Sequence, residues 1–332
     1  MKKILNRPED YVDEMLQGLC AAHPQYYKQT GPNGRVIVRP DAPVAGKVAI
    51  ITGGGSGHLP VFTGYVGPGL LDAAAIGDVF ASPTAEQIAE TMRQSHGGQG
   101  VLRLYGNYGG DVMNFDMAGE MVEMEDIEST TVLLADDVLS APPEERHKRR
   151  GTGGLVYAFK IVGAKAEQKA NLEEVTATAQ KTADACRSIG MALTPCTVPQ
   201  AGKPTFEIDE NEMEMGMGIH GEPGIWRGDL KPADEIADEM ISHIVKDMPL
   251  GSGDRVSVMV NSLGATPPEE LYIAYRYVKQ KVEETGAQIV MPLVGRYATS
   301  MEMAGMTITC CKLDDELEEL LKAPCECAFW KV

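Results

Sequence analysis

Lys47-Val48-Ala49-Ile50-Ile51-Thr52-Gly53-Gly54-Gly55-Ser56-Gly57-His58 joins a β-branched run to a cluster of glycines and a single histidine. A short β-branched run that is apolar on both faces reads as a buried strand of the parallel-sheet type. It stops at three glycines, so the reading is a strand that hands over to a loop at its carboxyl end, where α/β folds keep ligands. Working outward, strands and helices alternate. Upstream lie a helix over 8–22 and the apolar run Val36-Ile37-Val38. Downstream, Ser82 as N-cap and Pro83 at the first helical position open a helix reaching about His96. Strands over 100–105 and 130–135 flank a helix over 111–127. A Gly- and charge-rich loop, 136–154, leads into helices over 155–169 and 172–189. Beyond Gly190 the pattern restarts, with strands over 192–197, 215–219, 255–261, 288–293 and 307–311 and helices over 233–246, 268–284 and 314–322. The expectation is an α/β protein of two domains, 1–190 and 191–332, with largely parallel or mixed sheets and its active site in loops at strand C-terminal ends.

Composition narrows the function. The 332 residues carry 30 Lys plus Arg against 48 Asp plus Glu, a formal charge of −18. Such a surface repels phosphate backbones and anionic lipid, which argues against nucleic-acid and membrane partners. No apolar run is long enough to cross a bilayer, and the start of the chain lacks a signal-peptide core. The seven cysteines are odd in number and scattered, which fits reduced thiols in a cytoplasmic protein. Cys325-Glu326-Cys327 beside Cys310-Cys311 has the wrong spacing for a zinc site and no histidine nearby, so no metal is expected.

Three loops carry candidate chemistry. The first, Gly53 to His58, fails as a P-loop because Gly-His-Leu stands where Gly-Lys-Ser/Thr is needed, and it fails as a dinucleotide fingerprint or nucleophile elbow at His58. What is left is an anion- or hydroxyl-binding loop that delivers one imidazole, with a histidine merely satisfied by backbone as the structural alternative. The second loop runs from Tyr105 to Phe115, where Asp111 is either a helix cap or a general base. In the third, Gly218-Ile219-His220-Gly221-Glu222-Pro223-Gly224, a histidine between glycines is poorly explained by packing; it reads as nucleophile, metal ligand or acid/base. Three other features read as structural. The acidic run Glu207 to Glu214 is a solvated face, and Met113, Met117, Met121 and Met124 at helical spacing are core. The basic run 144–150 is an exposed loop, with contact to a phosphorylated ligand or acidic partner as its functional alternative, and Asp136-Asp137 are cap and turn residues.

At these loops the sequence resembles the dihydroxyacetone-binding subunit of the dihydroxyacetone kinase family. The matching strings are Gly53 to Pro60, Asn107 to Phe115 and Gly218 to Gly224, supported by Ile76 to Pro83, Arg149 to Leu155 and Cys196 to Pro199. The likeness runs in order along essentially the whole chain. It implies that His220 forms a reversible hemiaminal with the substrate ketone, that His58 and Asp111 act as hydrogen-bonding and acid/base groups, and that Gly55, Ser56 and Gly57 hold the sugar, with Gly106 lining the site. It implies two α/β domains, a homodimer and no cofactor on this chain. ADP or ATP with magnesium is expected on a separate nucleotide-binding kinase subunit, recharged in some systems by a phosphotransferase-system carrier. The residue chemistry agrees: a neutral imidazole is a competent nucleophile near neutral pH, and a bond to carbonyl carbon selects ketoses over polyols.

One departure matters. The family motif carries lysine five residues before the aspartate and threonine two before it, and here those positions are Gly106 and Gly109. The pocket is expected to widen. Two alternatives to a dihydroxyacetone kinase subunit follow: a kinase subunit for a larger ketose, a tetrulose or branched pentulose, or a non-catalytic ketose sensor in transcriptional control.

Overall fold

In the computed structural model, which describes residues 2–332, the opening apolar run lies in the middle of a six-stranded sheet. Its strands are β1 (Lys28–Thr30), β2 (Val36–Val38), β3 (Ala49–Ser56), β4 (Ala73–Val79), β5 (Val101–Gly106) and β6 (Ser129–Leu134), in the order β1-β2-β4-β3-β5-β6. The four strands from β4 to β6 run parallel, and β1 and β2 are antiparallel additions. The glycines do not end β3, as the sequence suggested; they continue it, with Gly53 and Gly55 registered against Ala75 and Gly77. Glycine is needed inside this strand because the neighbour crowds it: a Cβ at Gly55 would lie 2.6 Å from the Ala81 backbone nitrogen. β4 itself escapes sequence reading, because Ala73-Ala74-Ala75 has weak strand propensity; of the three, Ala75 lies opposite Gly53.

Helices α1 (Tyr11–Ala22), α2 (Ala85–Ser95), α3 (Gly109–Glu123), α4 (Gly154–Glu167) and α5 (Leu172–Ala185) accompany this sheet. Thr84, not Ser82, caps α2: its hydroxyl accepts the Gln87 N–H and Gln87 reciprocates, a capping box. The second sheet holds β7 (Cys186–Thr194), β8 (Glu212–Met215), β9 (Trp226–Asp229), β10 (Arg255–Ser262), β11 (Gln288–Ile289), β12 (Leu293–Gly295) and β13 (Ala304–Leu313). It is mainly antiparallel in the order β11-β10-β13-β7-β8-β9, with β12 also on β10, and it carries α6 (Ala233–Asp247), α7 (Pro268–Glu284) and α8 (Asp315–Lys322). The architecture is mixed α/β with two sheets. Residue 190 lies inside β7, paired with Thr307 of β13. The helix expected over 172–189 stops at Ala185, so Cys186 to Ile189 is strand.

Burial explains the layering. α2 and α3 cover one face of the first sheet, and α6 and α7 cover one face of the second. α4 lies between the two sheets: twelve of its fourteen residues are buried, so it is apolar all round rather than amphipathic. The chain's end returns to this middle layer, where Cys325, Cys327 and Trp330 join the core around α4. All seven cysteines are free thiols. No helix among the described residues is long and apolar enough to cross a membrane.

Candidate active site

The parallel strands of the first sheet end on one side, and the loop after β8 meets them there. β3 delivers His58, β4 delivers Phe80, and β5 with the first turn of α3 delivers Asp111. The loop between β8 and β9 delivers His220. The rings of His58 and His220 lie 4.8 Å apart between centroids, edge to face. Phe80 stacks on His58 at 4.8 Å, and Tyr108 meets His220 edge-on at 4.7 Å. Three bulky residues that shape this corner, Phe62, Phe80 and Met301, have φ of +67°, +57° and +53°. Left-handed backbone at side chains of this size is costly and persists only where the surroundings enforce it.

Each imidazole is held by one nitrogen. His58 Nδ1 lies 2.6 Å from the Thr299 carbonyl, which can only accept, so Nδ1 carries the proton. Its Nε2 is buried with no protein partner. Full burial and the neighbouring His220 push the His58 pKa down to about 3, so this ring is neutral and its Nε2 is a lone-pair acceptor. His220 Nδ1 lies 2.9 Å from Glu222 Oε1, and Glu222 Oε2 accepts the His220 backbone N–H at 2.9 Å. Burial raises the Glu222 pKa, but the bond from His220 and the Arg150 guanidinium override it and hold it at about 2, so Glu222 is a carboxylate.

Asp111 is not a helix cap. α3 begins at Gly109, its N-cap Tyr108 makes no side-chain cap bond, and the buried Asp111 Oδ1 has no partner. Burial raises its pKa, opposed by the Ser82 hydroxyl and by His220. Of the two readings the sequence left open, the cap is not what the structure shows. The other expected residues serve as frame: the Ser56 hydroxyl donates to the Gly77 carbonyl at 2.9 Å, and Gly57 accepts the Met301 N–H at 2.8 Å. A Cβ at Gly106 would lie 3.1 Å from the Tyr108 ring, whereas one at Gly109 would meet nothing within 4 Å. Among the described residues no group of three His, Cys, Asp or Glu side chains is placed to hold a metal ion.

Sequence reasoning missed four participants. Thr299 and Met301 carry no local signal, since they reach the loop from more than 240 positions away. Tyr108 and Glu222 stand inside the strings singled out, and Glu222 was findable as the only carboxylate within two residues of His220. Three structural readings also need correcting. Arg149 and Arg150 are not part of an exposed loop: Arg149 is buried on Asp247, with bonds of 2.9 and 2.6 Å, and Arg150 sits on Asp137. Met113, Met117 and Met124 are exposed rather than core, because α3 turns the opposite side to the sheet. Glu214, at the end of the acidic run, is buried and accepts the Gly224 N–H at 2.7 Å, bracing the histidine loop.

Two facing imidazoles, a carboxylate oxygen without a partner and a run of glycines gather at the ends of the parallel strands, the candidate site for a small polar ligand. The chain matches the Dak1 domain over residues 17–329 and belongs to that family. Its full-length relatives include the PTS-dependent dihydroxyacetone kinase 2, dihydroxyacetone-binding subunit DhaK, of Listeria innocua, 43% identical over 332 residues and 100% of both chains. An L-erythrulose kinase of Pectobacterium atrosepticum is 42% identical over 330 residues, spanning 98% of this chain and 55% of that protein. The solved structure of the dihydroxyacetone kinase operon co-activator Dha-DhaQ superposes with a TM-score of 0.87 at 31% identity, covering 94% of this chain and 96% of that one.

Proposed function

We propose that this chain is the ketose-binding subunit of a dihydroxyacetone kinase-type phosphotransferase. The ketose carbonyl is captured by His220 as a hemiaminal, and a terminal hydroxyl is set beside Asp111. The observation that carries the reading is the pair of imidazoles 4.8 Å apart, each with its Nδ1 occupied and its Nε2 left to the ligand. Attack by His220 forms an N–C bond and sends the carbonyl π pair to oxygen, which takes a proton from water. His58 Nε2 accepts a hydrogen bond from a substrate hydroxyl. Asp111 receives the proton of the terminal hydroxyl as that oxygen bonds to phosphorus and the donor's P–O bond breaks. Positioning supplies much of the rate in phosphoryl transfer, and a covalent anchor supplies positioning. The donor is a separate nucleotide-bearing subunit, which a phosphocarrier protein recharges in the PTS-dependent form.

Carbon-13 NMR with ketose labelled at the carbonyl tests this. The wild-type chain is expected to convert the ketone signal into that of a tetrahedral carbon. His220→Ala is expected to leave it a ketone, and Asp111→Asn to keep the adduct while abolishing turnover with the donor subunit. An unchanged ketone signal on the wild type overturns the reading. The likeness to an L-erythrulose kinase favours a four-carbon ketose, which steady-state kinetics on three-, four- and five-carbon substrates would rank. The likeness to an operon co-activator favours a second reading, ketose sensing without catalysis. That reading requires an adduct that no donor subunit phosphorylates.

A further inference from the structure

Glu222 stands outside the catalytic set argued so far, yet it is the residue most tightly bound to the candidate nucleophile. One carboxylate takes both N–H groups of residue 220: Oε1 is 2.9 Å from the ring Nδ1 and Oε2 is 2.9 Å from the backbone nitrogen. The loop is built to bring it there. The Gly218 N–H donates to the Glu222 carbonyl at 3.0 Å, and the Gly221 N–H donates to the Gly218 carbonyl at 3.0 Å. A Cβ at Gly218 would fall on Glu222 Oε2 itself, so glycine there leaves the carboxylate its place. Behind it stands Arg150, with Nη1 3.9 Å from Oε2. Arg150 is held in turn by Asp137 Oδ2 and the Gly216 carbonyl, each at 3.0 Å.

Resting on the ketose reading above, we propose that Glu222 is the positioning residue of the covalent step: it keeps the proton of His220 on Nδ1, so that Nε2 carries the lone pair that attacks the carbonyl. The hydrogen bond made by one ring nitrogen sets the tautomer of the other. A carboxylate accepts only, so it selects Nδ1–H. When Nε2 bonds to carbon, the carbonyl π pair moves to oxygen and the ring becomes a cation with its proton still on Nδ1. The Glu222 carboxylate stabilises that cation. The oxyanion then takes a proton from water, and Nδ1 keeps its proton in the bond to Glu222, so the hemiaminal stands as an imidazolium–carboxylate pair. The other charged or titratable groups facing this pair are His58, Tyr108, Arg150 and Asp111. Of these, none makes a hydrogen bond to the His220 ring, which leaves the tautomer to Glu222.

The test uses the full chain labelled with nitrogen-15, reading the two ring nitrogens of His220 directly. Wild type is expected to show a protonated Nδ1 and an unprotonated Nε2 at neutral pH; the opposite tautomer overturns the proposal without any variant. Glu222→Gln cannot accept both N–H groups. It is expected to give mixed tautomers and to weaken ketose adduct formation by about 10- to 100-fold, as lost orienting partners do elsewhere. Glu222→Asp keeps the carboxylate and is expected to recover part of that loss. Gly218→Ala, which displaces the carboxylate without removing it, is expected to behave like Glu222→Gln. Adduct formation at wild-type affinity in Glu222→Gln, with His220 still in the Nδ1–H form, overturns this role and leaves the ketose reading standing. A wild type that forms no adduct sinks both.

Discussion

At the scale of single residues, burial decides what each histidine does. His58 is sealed against Phe80, with its Nδ1 proton committed to a carbonyl, and its pKa of about 3 lies well below the ordinary imidazole value of about 6.5. Between those two values the unfolded chain holds a proton at this site that the folded chain does not. Stability therefore falls as pH drops through that window, by up to about 1.4 kcal/mol per pH unit from this group. Glu222, with its pKa held at about 2, adds its own loss only below the ordinary carboxylate range. Urea midpoints from pH 7 to 4 are expected to fall more steeply for wild type than for His58→Gln; equal slopes refute the account. The residue types at this corner were legible in the sequence, since glycine-flanked histidines have few structural uses. Their division of labour was not, because it depends on Thr299 and Glu222 accepting the Nδ1 protons.

At the scale of elements, patterning succeeded where apolar residues run together and failed where smallness or exposure rules. The run from Val48 to Thr52 announced β3, but no propensity announced that Gly53 to Gly55 extend it, because the reason is the closeness of β4. The methionines of α3 show the reverse error. Met113 and Met117 have the spacing of a core stripe yet are 60% and 51% exposed, while Phe115, Ala118, Gly119 and Val122 face the sheet. Met117→Lys is accordingly expected to change stability by no more than about 0.5 kcal/mol, whereas Phe115→Ala costs about 3–5 kcal/mol. Denaturant unfolding of the two variants side by side checks this, and a large loss in Met117→Lys refutes the assignment of faces. Thr84→Ala, which deletes the hydroxyl of the α2 capping box, is expected to cost about 1 kcal/mol in the same assay.

At the scale of the molecule, the two sheets are joined by buried charge as well as by α4. Asp247, at the end of α6, accepts both nitrogens of Arg149 from the loop before α4 and also pairs with Arg187 on β7. Asp136 accepts the Thr152 and Gly154 N–H groups, at 3.0 and 2.8 Å, and the Ser188 hydroxyl. These contacts fix the 136–154 loop against the second sheet, and with it Arg150 behind the site. Asp247→Ala leaves two buried guanidinium groups without their carboxylate, and a loss of about 3–5 kcal/mol is expected in equilibrium unfolding. A loss below 1 kcal/mol would mean that water takes over the role of the carboxylate.

The sequence alone determined the α/β class and most helices, and it singled out three loops with His58, Asp111 and His220 as candidates, because hydrophobic period, glycine punctuation and reactive side chains are local signals. Tertiary structure alone decided that the sheets share α4 and that Asp111 caps nothing. It also decided which nitrogen of each histidine is free. The physical reason is range: a tautomer, a burial or an unpaired oxygen is set by whatever arrives from elsewhere in the chain, as Thr299 does at His58 from 241 residues away.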